Sequence, residues 1–113
     1  MSKSISPPPM DPDAFRGKAA EAAELLKALS HDGRLLILCA LAGGETPAGA
    51  LMPVTGLSQS ALSQHLARLR EQGLVRARRE GVVIHYSIAD TAALRVVGLL
   101  AEIFCAEKEN QQP

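Results

Sequence analysis

At 113 residues, with 12 Lys and Arg against 12 Asp and Glu, the chain suits one domain large enough for its own core and small enough to gain from dimerisation. No apolar run is long enough to span a bilayer and the N-terminus has no secretory pattern, so a soluble, cytoplasmic protein without a membrane partner is expected. The two cysteines, Cys39 and Cys105, are too few and too far apart for a disulfide framework or a zinc finger, and the absence of Trp argues against stacking on single-stranded bases.

Residues 1–12 are rich in Ser and Pro, with Pro7, Pro8, Pro9 and Pro12, and read as a disordered or extended arm. The folded unit is expected over residues 13–107, with a flexible tail at 108–113. A first helix is predicted from about Asp13 to Leu29, with Leu25, Leu26 and Leu29 on its apolar side. Ser30 or Asp32 starts a second, Arg34 to Ala42, ended by Gly43 and Gly44. Its run Leu35 to Leu41 is apolar nearly all round, which places it at the centre of the core. Thr46 and Pro47 look like the N-cap and first residue of a short third helix, Ala48 to about Met52, broken by Pro53 and Gly56.

Ser58 is a cap signal for a fourth helix, in which Ala61, Leu62, Leu66 and Leu69 fall at helical spacing and Gly73 is the stop. Val75 to Arg79 and Val82 to Ile88 are two β-prone runs joined by the turn signal Glu80-Gly81. Thr91 to Glu107 makes a last helix bearing Leu94, Val97, Leu100, Ile103 and Phe104. Val96, Leu99 and Ala101 widen that stripe beyond what one face needs, which points to a partner helix from a second chain. The fold class is therefore mainly α with a small β-hairpin: a winged helix-turn-helix whose last helix is offered to a second chain.

The fourth helix carries the functional signal. Opposite its apolar stripe stand Gln59, Ser60, Ser63, Gln64, His65 and Arg68, behind the cap Ser58. Short hydrogen-bonding side chains on the first turns, with Arg beyond, suit base edges and phosphates in a major groove. A polar outer face is also what any solvated amphipathic helix shows; the ribbon that follows, with Arg78, Arg79 and His85 near its tip, tips the balance towards DNA. Between Ser58 and Ile88 five Arg stand against two Glu, so that segment is +3 and the remainder −3. Such a modest local charge implies two copies acting together on double-stranded DNA.

The segments ALSHDGRLLILCAL, LSQSALSQHLARLREQGLV and RREGVVIHYSI resemble the ArsR/SmtB family of small dimeric winged-helix repressors of bacteria, over about Leu25 to Phe104. The resemblance implies an inverted-repeat operator, a homodimer built on the first and last helices, and release by an inducer. It also exposes departures. The two positions that hold a Cys-x-Cys metal site in arsenic, cadmium and lead sensors are Pro47 and Gly49 here. The last-helix zinc site has only Asp90 at its start and no His after it. No metal site and no cofactor are expected.

From the residues alone, two helical cysteines in a cytosolic protein read as small buried hydrophobes. The resemblance reverses that: one Cys in LLILC and one in IFC is the pattern of the BigR/SqrR/HlyU branch, whose pair senses reactive sulfur species or oxidants. Cys39 and Cys105 match both positions, which implies a redox-sensing pair. A peroxide or electrophile sensor, or an arsenite-like metalloid sensor using the same two thiols, stays as the alternative. A thiol enzyme would need an activating constellation that is missing. A winged helix that binds protein instead of DNA would not depend on Arg78 and Arg79.

Overall fold

A computed structural model describes residues 11–105; the expected flexible tail and all of the expected arm except Asp11 and Pro12 lie outside them. Five helices and three strands follow in the order α1 (Pro12–Ala28), α2 (Asp32–Leu41), β1 (Thr46–Pro47), α3 (Ala48–Thr55), α4 (Gln59–Glu71), β2 (Val75–Glu80), β3 (Val83–Ile88) and α5 (Thr91–Cys105). No helix among the described residues is long and apolar enough to cross a membrane.

The core is centred on α2, where Ile37, Leu38 and Leu41 are almost wholly buried. Helices α3, α4 and α5 and strand β3 all pack against it. Leu51 of α3, Leu62, Leu66 and Leu69 of α4, and Ala93 and Val97 of α5 complete the interior with Leu74, Val75 and Tyr86. Helix α5 starts on Asp90, whose carboxylate accepts the Ala93 N–H at 2.9 Å. The core face of α5 is narrower than the sequence suggests: Leu94, Leu99, Ile103 and Phe104 are exposed.

Helix α1 differs from the rest. Asp11 caps it, accepting from the Asp13 N–H, with Pro12 in the first turn, so these two residues belong to the helix and not to an arm. Every residue from Pro12 to Glu21 is exposed, and only Ala28 and Leu29 at its far end are buried. The projecting helix raises the radius of gyration to 16.3 Å, against about 13 Å for a compact chain of a hundred residues.

Three local expectations are corrected. Thr46 is not the cap of α3, and Pro47 stands at the cap position instead of the first helical turn, without a side-chain cap bond. The two form a third strand, Thr46 pairing with Tyr86 and Pro47 with His85, giving the antiparallel order β1-β3-β2. Pro47 suits an edge strand because it has no N–H to leave unpaired. Pro53 does not break α3, which continues to Thr55. The missing hydrogen bond is offset by burial of Leu51 and by Thr55, whose hydroxyl donates to the Leu51 carbonyl at 2.6 Å. Gly56, at φ 74°, supplies the left-handed residue that ends the helix. The wing turn is Gly81-Val82, one residue later than Glu80-Gly81, because Glu80 pairs with Val83.

The cap of α2 is neither Ser30 nor Asp32 but His31, whose Nδ1 accepts the Gly33 N–H at 3.0 Å. Its ring lies 4.6 Å, centroid to centroid, from that of His65 on α4. A Cβ on Gly33 would stand 2.8 Å from His65 Nε2, so glycine is what lets α4 close on the start of α2. Burial, then the charges of His31, Arg34 and Arg68, push the His65 imidazole below its usual 6.5, and Asp32 opposes them only weakly. A His held low in the fold takes up its proton more readily once unfolded. Stability should therefore be complete above pH 6.5 and fall as the pH drops below it. Urea unfolding at about pH 7.5 and 5.5 checks this. The loss should shrink in His65→Gln, and an equal loss in the variant would assign it elsewhere.

Candidate nucleic-acid interface

The reading head is α3, the turn at Gly56 and α4. Ser58 accepts the Ala61 N–H on Oγ at 3.1 Å, which satisfies an N–H at the start of α4 and fixes where its stripe begins. With Leu62, Leu66 and Leu69 buried, Gln59, Ser60, Ser63 and Gln64 are left exposed on the first two turns. They project together from the end of α4 that carries the positive helix dipole.

Two members of the expected set lie apart. His65 is half-buried against His31 and Gly33. Arg68 follows it by three residues and Gln72 by seven, so the three share the flank of α4 that faces the junction of α1 and α2. Arg68 and Gln72 line a cavity there with Arg34 and Lys27.

In the wing, Arg78 pairs with His85 and Arg79 with Ile84 across the ribbon. The two arginines then differ. Arg78 donates from Nε and Nη2 to both oxygens of Glu45, at 2.9 and 2.8 Å, and lies 3.6 Å from Glu80. Glu80 also reaches His85 Nε2 at 3.2 Å. The hydrogen bonds and charge of Arg78 hold the Glu45 carboxyl below its ordinary value, and Glu45 raises Arg78 in return. Glu45 went unseen in the sequence because 33 residues separate it from Arg78. Arg76 and Arg79 are exposed and, among the described residues, have no acidic partner within ion-pair reach. Val82 at the tip is 94% exposed.

Cys39 lies half-buried on α2, against the core, and α2 packs on α5, which ends at Cys105. The chain thus brings the two cysteine-bearing helices into contact. Among the described residues no three His, Cys, Asp or Glu side chains group as a metal site, and Asp90 serves as the cap of α5.

Residues 31–77, from the cap of α2 through the reading head into β2, match the model of the bacterial regulatory protein arsR family. Escherichia coli strain K12 has a relative, the HTH-type transcriptional regulator YgaV, 48% identical over 92 residues that span 80% of this chain and 93% of that one. The chain belongs to the arsR family. It is a DNA-binding transcriptional regulator and not an enzyme. Two solved structures share its winged-helix fold. The transcriptional repressor BigR from Xylella fastidiosa superposes with a TM-score of 0.79 at 41% identity, covering 86% of this chain and 99% of that one. Reduced HlyU from Vibrio cholerae gives 0.76 at 41% identity, covering 81% and 97%.

The wing geometry separates two arginines that look alike in sequence. Arg79→Ala should weaken duplex binding for all sequences alike and flatten the salt dependence of log K by about one. Arg78→Ala should flatten it less, because Glu45 already neutralises that charge, and Glu45→Gln should steepen it. Fluorescence anisotropy across a salt series reads all three. Equal slopes for the two arginine variants would mean that the Glu45 pair dissolves on DNA.

Proposed function

We propose that this regulator is a cytoplasmic, homodimeric repressor that binds inverted-repeat operator DNA and is released or altered when reactive sulfur species link Cys39 to Cys105. The juxtaposition of their two helices carries this reading. It is supported by the branch resemblance of both cysteine positions and by the likeness to a repressor and to a protein captured in a reduced form.

Dimerisation follows from surface that one chain leaves uncovered. Helix α1 runs for 17 residues with almost no tertiary cover, whereas most helical stability in proteins comes from tertiary packing of an apolar face. Phe15 and Leu26 on α1, with Leu99, Ile103 and Phe104 on α5, are all at least 47% exposed. A second copy that covers both helices removes this apolar surface from water and sets two reading heads on one duplex. Two-fold symmetry then requires half-sites about one helical turn, or a multiple, apart. Ser58 fixes the start of α4, Gln59, Ser60, Ser63 and Gln64 approach bases, His65 and Arg68 reach nearby phosphates from the flank of the helix, and Arg78 and Arg79 hold backbone. Sedimentation at micromolar concentration should give a dimer, and Leu99→Glu with Ile103→Glu should give a folded monomer with much weaker operator binding. Tight operator binding by a monomer would refute this assembly.

The chemistry at the thiols balances. One cysteine thiolate attacks the outer sulfur of a persulfide RS–SH, forming a protein persulfide and expelling RS⁻. A second transfer extends it to Cys–S–S–SH. The other thiolate then attacks the sulfur next to the terminal SH, expels hydrosulfide and closes a trisulfide. Sulfane sulfur is the oxidant, and the two thiols are oxidised. A direct disulfide needs Cα atoms within roughly 7 Å. A longer sulfur bridge relaxes that limit, so geometry alone can separate persulfide from peroxide.

Cys39→Ser and Cys105→Ser should both fold and bind operator as the parent does, yet neither should respond to a persulfide donor. Intact-mass analysis of the parent should show added sulfur within one chain. A response surviving in Cys105→Ser would exclude the two-thiol switch. Release by peroxide alone, or by arsenite and reversed by a dithiol chelator, would favour the alternative inducers.

A further inference from the structure

The flank of α4 that turns away from the Gln and Ser face borders a cavity of about 380 Å³ between the end of α1 and the start of α2. This lies in the lower part of the range of small-ligand sites, about 300–1,000 Å³. Lys27, His31, Arg34 and Arg68 line it, and Glu24 is the one acid that does. Among the described residues none of Lys27, Arg34 and Arg68 has an acidic partner within ion-pair reach. Arg34 is held by a single hydrogen bond, from Nη1 to the Ala28 carbonyl at 3.2 Å, and its buried Nε has no partner.

Three cations from three helices therefore converge against one acid, Glu24, with which none of them forms an ion pair among the described residues. Close contact of Gly33 with His65 keeps them together by pressing α4 onto the start of α2. Like charges gathered this way repel one another, and a wall so charged attracts an anion. The donors are of the kind an oxyanion takes: two planar guanidinium forks, an ammonium and the Gln72 amide.

We propose that this cavity is a phosphate-binding site shared by Lys27, Arg34 and Arg68. Its occupant is either a backbone phosphate of the duplex read by α4 or free inorganic phosphate. The first source rests on the DNA reading above; the second does not.

Lys27→Gln and Arg68→Gln test it, since both change the charge of the wall without touching the Arg34 bond to Ala28. Two measurements are made on each variant and the parent: duplex affinity across a salt series, and amide NMR shifts during titration with inorganic phosphate. A backbone phosphate predicts that both variants flatten the salt slope by about one and that together they lose less than the sum. Free phosphate predicts saturable shifts at His31 to Arg34 and around Arg68 in the parent, abolished in both variants, with the slope unchanged. A flattened slope in Arg68→Gln alone, with no phosphate shifts, would reduce the site to one arginine and overturn the proposal. So would unchanged slopes with no phosphate shifts. Phosphate shifts in a parent that binds no duplex would leave the cavity standing and remove the DNA reading.

Discussion

Burial of α2 is the constraint on which the molecule depends. Ile37, Leu38 and Leu41 have almost no exposed surface, and each such side chain is worth about 1.5–3 kcal/mol relative to exposure. Every other element except α1 is positioned by packing, directly or through one neighbour, on this helix. The direction of α4 is set by Leu62, Leu66 and Leu69 entering that core. The direction of the wing is set by Val75 and Tyr86 at its base, with β1 holding the free edge of β3. The face proposed to meet DNA is thus what remains when the apolar face has been satisfied.

Electrostatics is arranged on this frame by pairing some cations and leaving others open. A zero net charge says little about the local field, since Arg78 is compensated by Glu45 and Glu80 whereas Arg76 and Arg79 are not. Exposed pairs of this kind contribute little to stability. Their effect is on where the positive potential lies. In the wing it is reduced at Arg78 and remains at Arg76 and Arg79. Across α4 it gathers at the cavity of Lys27, Arg34 and Arg68.

What could be read from the chain without coordinates was whatever depends on near neighbours. The Ser58 cap, the Leu62–Leu66–Leu69 stripe and the β2–β3 ribbon are local patterns, and each element lies within a residue or two of its expected place. What escaped depends on distant partners. Thr46 and Pro47 become a strand only because Tyr86 and His85 lie alongside. Pro53 stays helical because α3 is held by its tertiary contacts. Arg78 and Arg79 are adjacent in sequence, yet only one meets Glu45. His65 has the helical phase of a partly outward residue, and only the glycine at position 33 turns it into a packing contact. The full width of the α5 stripe could be read, but not which part of it one chain would bury.

Helix α2 also explains how chemistry at a thiol could reach the reading head. It carries Cys39 near its end, contacts α5 on one side and α4 on another, and receives His65 at its start. A link from Cys39 to α5 would act on a helix with little slack, because Ile37, Leu38 and Leu41 are already fully packed. Strain at that end can be relieved by moving α5, which in a dimer alters the spacing of the two heads, or by shifting α2 against α4. In the proposed dimer, either movement would change the distance between two rigid readers on a duplex whose half-site spacing is fixed. A coupling of about 1–3 kcal/mol is the usual scale for such linkage, enough to change occupancy by one to two orders of magnitude. Under the proposed switch, the same packing that makes α2 the stable centre of the fold would make it the route by which a small covalent change is felt at DNA.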